Sequence, residues 1–352
     1  MALLRVTSPH THRAINTHDV MTWVLIGTAP GIVTLTVIFG WGTLINLLLA
    51  SFTAISCEAL ILKIRQYPIR VYLNDYSAIV TAVLLGLSLP PYAPWWLIVL
   101  GTSFAIIIAK HLFGGLGFNP FNPAMVGYVL LLISFPQQMT QWPLPQSLLT
   151  NSEPLTVAQS LGVVFLGNSI DSYTGATPLD LFKYREGLLV EQIYAGQLLF
   201  SEAYLAGVGW EWVNLAFLCG GLLLIYKRII TWHGPVSMLL TLLLLSCLFY
   251  DGGSSESGGS PLLHMLSGGT MLGAFFIITD PVSGTTSDRG KLIFGASVGA
   301  IVYIIRVWGN YPDAVAFAVL LMNFAAPFID YYTTPRTYGY SISEPIKRKQ
   351  SN

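Results

Sequence analysis

Apolar residues in this chain gather into ten runs, at 21–38, 42–62, 76–90, 95–109, 121–135, 212–225, 235–250, 262–279, 292–308 and 314–328. The runs are apolar on every face, unlike the alternating strands of a membrane barrel. Several reach the roughly 17–25 residues that a helix needs to cross hydrocarbon. The pattern predicts an all-α integral membrane protein of about ten transmembrane helices. Runs 76–90, 95–109 and 121–135 are shorter and predict tilted, broken or half-buried segments. The chain then divides into an N-terminal segment at 1–20, five helices over 21–136, a long connection at 137–208, five helices over 209–330 and a tail at 331–352.

Composition sharpens this picture. The 352 residues are 53% hydrophobic and 10% charged, against about 25% charged in a typical soluble domain. The surface cannot be mostly wet, and no separate soluble domain of normal size fits. A net charge of zero gives no basis for a nucleic-acid partner. The polar N-terminus lacks the apolar core of a cleaved signal peptide. Cys57, Cys219 and Cys247 lie inside apolar runs without CxxC spacing. They read as buried apolar thiols, and no metal site is expected.

Charge sets an orientation. With the N-terminus in the cytoplasm and ten spans, Arg5, Arg13, Lys63, Arg65, Arg70, Lys110, Lys227, Arg228, Arg289, Lys291, Arg336, Lys347, Arg348 and Lys349 fall inside, which is 14 of the 17 basic residues. Lys183 and Arg185 fall outside, and Arg306 lies within the ninth run. This is the positive-inside bias. Both termini are then cytoplasmic and the connection 137–208 is periplasmic. The glycine- and serine-rich stretch 252–260 reads as a flexible turn.

The two halves resemble each other. Lys110-His111-Leu112-Phe113-Gly114 with Asn119 to Ala124 parallels Arg306-Val307-Trp308-Gly309 with Asn310 to Ala314. Corresponding runs lie about 190 residues apart, and an odd number of spans per half predicts two inverted five-helix repeats, an arrangement that places sites near the midplane. The third and eighth runs, marked by Leu89-Pro90-Pro91 and by Ser267-Gly268-Gly269, are candidate discontinuous helices, tolerated only against protein or a polar cavity.

Chemistry concentrates in the heptapeptide Asp171-Ser172-Tyr173-Thr174-Gly175-Ala176-Thr177. Thr177 precedes a proline, which favours extended backbone and an exposed side chain. Gly175 and Ala176 leave room for a modifying enzyme to approach. A threonine hydroxyl can form a phosphoester, which would tether FMN and leave its ring free for redox work.

On these residues, and on SPHTH at 8–12, GGLGFNPFNPAMVGYVLLLISFP at 114–136, GATPLD at 175–180, GTMLGAFFIITDPVS at 269–283 and YPDAVAFAVLLMN at 311–323, the chain resembles the D subunits of Rnf (Rsx) electron transport complexes. It is more distantly similar to the B subunits of sodium-translocating NADH:quinone reductases. The resemblance implies covalent FMN on Thr177, with Asp171, Thr174, Gly175 and Ala176 read by a periplasmic flavin transferase. It implies a second, non-covalent flavin (riboflavin or FMN), sought near the turns at 119–124 and 268–280. It also implies a place in the bacterial inner membrane, among lipid and the A, B, C, E and G subunits of a translocase that is not catalytic alone. Such a complex couples electron transfer between NADH and ferredoxin-type carriers to sodium or proton movement.

Asn119, Asn122, Asp280 and Glu58 are the candidate residues for the second flavin or an ion path. Glu58, in the second run, needs a partner or a cavity at bilayer depth; structural pairing is the plainer reading. Arg306 is placed to snorkel to the outer interface. His264 reads as a packed histidine rather than a ligand. Trp95, Trp96, Trp210 and Trp212 sit at run ends as interfacial anchors. Two other functions stay open: a small-solute channel on the same repeat without redox chemistry, and a structural anchor for partner enzymes.

Overall fold

The computed structural model describes residues 16–149, 153–184, 187–254 and 257–334. The SPHTH motif, Arg185 and most of the C-terminal tail lie outside them. Every one of the ten apolar runs is helical. The first half comprises α1 (Thr17–Phe39), α2 (Gly42–Ile64), α3 (Ser77–Ser88), α4 (Trp95–His111) and α5 (Pro123–Ser134). The connection carries α6 (Val157–Leu166) and α7 (Pro178–Lys183). The second half comprises α8 (Trp210–Tyr226), α9 (His233–Leu248), α10 (Pro261–Leu266), α11 (Thr270–Leu272, continued by a π turn over Gly273–Ile277), α12 (Asp288–Trp308) and α13 (Val315–Thr333). Four described helices, α1, α2, α12 and α13, are long and apolar enough to cross a membrane unaided.

Small residues set the packing. In lipid no hydrophobic force separates helix from tail, so backbones must come close. A Cβ on Gly220 of α8 would lie 1.9 Å from the Gly27 carbonyl oxygen of α1. On α12, Cβ atoms at Gly295 and Gly299 would each lie 2.4 Å from carbonyl oxygens of α9. Gly127 of α5 meets Gly101 of α4 in the same way, at 2.7 Å. The outer faces of α1 and α2 carry exposed Val33, Val37, Leu48 and Phe52, the surface expected against acyl chains.

The shorter segments are irregular where the sequence places Gly and Pro. Twelve-residue α3 spans about 18 Å at 1.5 Å per residue, well short of the hydrocarbon core. It ends in the Leu89–Pro94 turn, where the Asn46 side chain donates to the Pro90 carbonyl at 2.8 Å. The eighth run is broken between α10 and α11. The freed backbone groups find side-chain partners: Asn214 Nδ2 donates to the Leu266 and Gly268 carbonyls at 2.9 and 3.1 Å, and the Met271 N–H donates to Asn214 Oδ1 at 3.1 Å. The last turns of α4, over Ala105–His111, are π-helical.

Several expectations are corrected. Residues 257–260 form a packed turn: a Cβ on Gly258 would fall 2.1 Å from the Tyr303 hydroxyl, and His264 Nε2 lies 2.7 Å from the Gly258 carbonyl. Its glycines serve close approach rather than flexibility. Cys219 and Cys247 are exposed on helix faces, and Cys57 is half-buried against Ser103, so two of the thiols lie on the protein's surface rather than in its core. Trp210 is buried, with ring centroids 5.2 Å from Phe39 and 5.1 Å from Trp142, and is a core residue instead of an interfacial anchor.

Candidate functional site

The long connection holds the heptapeptide in place by a short ladder. β1 (Trp142–Pro143) pairs antiparallel with β2 (Thr174–Gly175), Trp142 facing Gly175 and Pro143 facing Thr174. The Leu144 N–H adds a bond to the Tyr173 carbonyl at 2.8 Å. Gly175 fits because a Cβ there would lie 2.4 Å from Leu144 Cδ2 and 2.7 Å from its Cγ. Glycine here lets the Leu144 side chain, just after β1, close over the ladder. Within the heptapeptide Asp171, Ser172 and Ala176 are exposed.

Thr177 has the extended backbone expected before proline, φ −74° and ψ 163°. Its side chain is half-buried rather than exposed, because it caps α7. The hydroxyl donates to Asp180 Oδ2 at 2.7 Å, the Thr177 N–H donates to the same oxygen at 3.0 Å, and the Asp180 N–H donates to the hydroxyl oxygen at 3.2 Å. This is a reciprocal capping box. A threonine three residues before an acid, Thr177-Pro178-Leu179-Asp180, is its signature in the sequence, a signal that could have found Asp180 and that lies just beyond the heptapeptide. At the other end of α7, Lys183 donates to the Ile305 and Arg306 carbonyls at 3.1 and 2.9 Å. Both carbonyls lie in the last turn of α12; that of Ile305 also accepts from the Gly309 N–H at 2.9 Å. Burial pushes the Lys183 amine below its ordinary value.

Two spaces adjoin this helix. Beneath it lies a cavity of about 120 Å³, bordered by Thr177, Asp180, Tyr128, Trp142, Trp210 and Asp313 among a mostly apolar lining. Above it an open groove of about 400 Å³ is lined by Thr140, Gln141, Thr174, Gly175, Ala176, Asp180, Tyr184 and Pro312. Asp180 belongs to both walls.

Arg306 points inward, contrary to the snorkelling expectation, and is 4% exposed. Its guanidinium donates to Asp313 Oδ1 at 3.0 Å, to the Thr270 hydroxyl at 2.9 Å and to the His264 carbonyl at 2.8 Å. It therefore satisfies both a charge and a carbonyl freed at the α10–α11 break. Burial alone would raise the Asp313 carboxyl; the Arg306 guanidinium and the N–H groups of Gly269 and Ala314 outweigh it and hold the group below the usual carboxylate range.

A second cavity, of about 90 Å³, opens at the other end of the bundle. Asn119, Asn122 and Asp280 all line it, together with Ser77 and Lys110. Three of the four residues expected at a second flavin or ion path are thus brought together, although Gly268 borders the first cavity instead. Asn119 Oδ1 is buried without a partner, a group that a ligand donor could satisfy. Asn122 is largely committed to structure: its Oδ1 accepts from the Ala124 and Met125 N–H groups, capping α5, and its own N–H donates to Asn323 Oδ1 at 3.1 Å. Burial raises the Asp280 carboxyl, against the opposing Ser283 hydroxyl at 2.5 Å.

Glu58 stands one residue behind this cavity. Its Oε1 accepts from Lys110 Nζ at 2.6 Å and lies 3.2 Å from His111 Nε2, and Lys110 also donates to Ser77 Oγ at 2.7 Å. Structural pairing is the observed state. Lys110, counted among the bases of the cytoplasmic side, is buried at 2% exposure. The pair is invisible in sequence because 52 residues separate its members. His264 is packed and hydrogen-bonded as expected, and no metal-competent cluster occurs among the described residues.

The arrangement defines a multi-pass all-α membrane protein with a cavity toward each end of its bundle and a capped threonine over one of them. Residues 5–339 match the NQR2, RnfD, RnfE family, and the chain belongs to it. Among its relatives, the protein of Cellvibrio japonicus named as the D subunit of an ion-translocating oxidoreductase complex is 58% identical over 97% of this chain and 96% of its own length. The proteins of the same name in Pseudomonas aeruginosa (strain UCBPP-PA14) and Vibrio atlanticus are 54% and 51% identical, over 98% and 97% of this chain and 98% and 100% of their own lengths. The resemblance drawn from the motifs is thereby borne out at full length.

Proposed function

We propose that this chain is the flavin-carrying membrane subunit of a complex that couples electron transfer to ion translocation, and is not catalytic alone. Its relatives' name supports the complex and the ion. The observation that carries the flavin is Thr177. It lies in an Asp-x-x-Thr-Gly-Ala-Thr sequence, on a segment clamped at both ends, where it borders an apolar cavity and its hydroxyl is bonded to Asp180, which also lines the open groove. FMN held there by a phosphoester would supply one- and two-electron chemistry. The chain's own residues would seat the ring: Trp142, Trp210 and Tyr128 offer aromatic walls, and α7 fixes the attachment point through Lys183. Asp171, Thr174 and Ala176 would face the transferase.

The second cavity, with orphaned Asn119 Oδ1, Asp280 and Lys110, is the candidate seat for a non-covalent flavin (riboflavin or FMN) or for an ion path. The packing supports two inverted repeats. In the first half α2 packs on α3 and α4; in the second α9 packs on α10 and α12, while α1 meets α8 and α5 meets α13 between halves. Lys110 and Arg306, each buried at the end of its repeat's fourth helix, would be counterparts. The expected setting is the bacterial inner membrane with α7 periplasmic and other Rnf subunits as partners.

In-gel fluorescence of the denatured chain, from cells containing a flavin transferase, tests the reading. The wild-type band is expected to fluoresce and Thr177→Ala to be dark at equal protein level. A dark wild-type band would instead favour a solute channel. A fluorescent band whose loss leaves electron flux unchanged would favour an anchoring role.

A further inference from the structure

The heptapeptide contains two threonines, and the fold treats their hydroxyls differently. Thr174 donates to the backbone carbonyl of Asp171 at 3.3 Å. Thr177 donates to a carboxylate, Asp180 Oδ2, at 2.7 Å. The Asp180 N–H engages one lone pair of the Thr177 oxygen, which leaves the other free. Among the described residues no cation forms an ion pair with Asp180. Its carboxylate also borders both the groove and the cavity, so a reagent bound on either side would meet it.

The same connection contains a natural contrast. Thr156 caps α6 in the same reciprocal geometry, but its partner is an amide: the Thr156 hydroxyl and N–H each donate to Gln159 Oε1 at 2.9 Å. An amide oxygen can orient a hydroxyl; it cannot accept its proton at neutral pH.

We infer that Asp180 is the general base for the attachment reaction at Thr177, a catalytic group supplied by the acceptor chain itself. The inference rests on Thr177 being the flavin attachment site. Forming a phosphoester from an alcohol requires an activated phosphoryl donor, here a phosphoanhydride of FMN. Thr177 Oγ1 forms a bond to the flavin-bearing phosphorus, and the bond from that phosphorus to the bridging oxygen breaks. The nucleoside monophosphate leaves with the electron pair, and the hydroxyl proton passes to Asp180 Oδ2 and then to water. Nothing is oxidised or reduced. A positioned base of this kind contributes on the order of 10²–10⁴ in rate.

A purely structural cap predicts something different. Asp180→Asn keeps an oxygen acceptor for the Thr177 N–H and hydroxyl, and reproduces the Thr156–Gln159 arrangement while removing the proton acceptor. The full-length chain in membranes is incubated with a flavin transferase and flavin adenine dinucleotide as donor, from pH 6 to pH 9. Covalent flavin per chain is followed by in-gel fluorescence and intact mass.

Wild type is expected to label and Thr177→Ala to stay unlabelled. Asp180→Asn should label about 100-fold more slowly at neutral pH, with the deficit shrinking as pH rises and hydroxide replaces the missing base. Asp180→Glu, which restores a carboxylate, should recover most of the rate. The recovery with pH and with Glu separates lost basicity from misfolding. Wild-type speed in Asp180→Asn, or a deficit equal at every pH, would overturn the inference while leaving the attachment site intact. An unlabelled wild-type chain would overturn the attachment reading itself.

Discussion

Two ion pairs tie the helices together, Glu58–Lys110 buried on both sides and Arg306–Asp313 with a buried guanidinium and a half-buried carboxylate. Removing one member of a buried pair strands a charge, at about 3–5 kcal/mol, whereas replacing both is often nearly neutral. Lys110→Met is therefore expected to lower the thermal midpoint in detergent strongly, Glu58→Gln somewhat less, and the double variant less than the sum of the two. A strictly additive cycle would show that the 2.6 Å contact carries no coupling. The Arg306–Asp313 pair adds a pH dependence. Asp313 is held below its unfolded value, so it binds its proton less readily when folded. Its stabilisation is fully present above the ordinary carboxylate value of about 3.9 and is lost as pH falls through the depressed folded value. Acid unfolding of wild type should show this loss below about pH 4, and Asp313→Asn, already weaker at neutral pH, should show less of it. An identical acid limb in both would remove Asp313 from the account. Single residues are the least legible part of the sequence. The heptapeptide is local and can be read. Glu58 with Lys110, and Asn214 with the α10–α11 break, meet across more than fifty residues, where no local pattern reports them.

Helices are far more legible, because ten apolar stretches in a chain with so few charges leave no other way to satisfy the backbone in lipid. Length and glycine content also point correctly to the broken eighth run, whereas the third run, expected to be discontinuous, is short but unbroken over Ser77–Ser88. What the pattern cannot give is the detail of irregularity. The π turns at Ala105–His111 and Gly273–Ile277 depend on where neighbouring helices press, and their sequences read as ordinary helix. The first presents Lys110 and His111 together to Glu58, a contact pair that the tertiary packing selects. Close helix contacts are the element-scale quantity most open to test. Gly220→Ala places a methyl 1.9 Å from a backbone oxygen of α1, an atom that cannot swing aside like a side-chain end. A cost of about 1–3 kcal/mol is expected from overpacking, read as a lower thermal midpoint and a broadened size-exclusion peak. Leu222→Ala, two residues along on the exposed face of α8, should leave both unchanged. If the two variants behaved alike, the α1–α8 contact would not be the tight one described.

At the scale of the whole molecule the two cavities and the charge distribution point the same way. One cavity adjoins the long connection, where Lys183 is the described basic residue; the other adjoins the ends of the bundle near Lys63, Arg65 and Lys227. A chain whose ten-span assignment gathers 14 of 17 bases on one side is expected to insert with that side in the cytoplasm, which would put the capped threonine on the periplasmic face and the Lys110 cavity on the cytoplasmic one. Burial of Lys110 removes one base from the 14 and leaves 13 against the pair on the other side, an asymmetry that stands; Arg306, also buried, is counted on neither side. The orientation can be read chemically. In a chain whose own Cys57, Cys219 and Cys247 are replaced by serine or alanine, single cysteines at exposed Asp171 and exposed Arg70 are offered a membrane-impermeant maleimide on intact spheroplasts. Asp171→Cys is expected to label from outside and Arg70→Cys only after the membrane is opened. The reverse pattern would invert the molecule. It would set Thr177 in the cytoplasm, out of reach of a periplasmic transferase, and a covalent flavin on this chain would then need a cytoplasmic route of attachment. The two residues lie on opposite ends of the bundle, so equal labelling of both before lysis would mean leaky spheroplasts, and a cytosolic protein released in the same sample would reveal it.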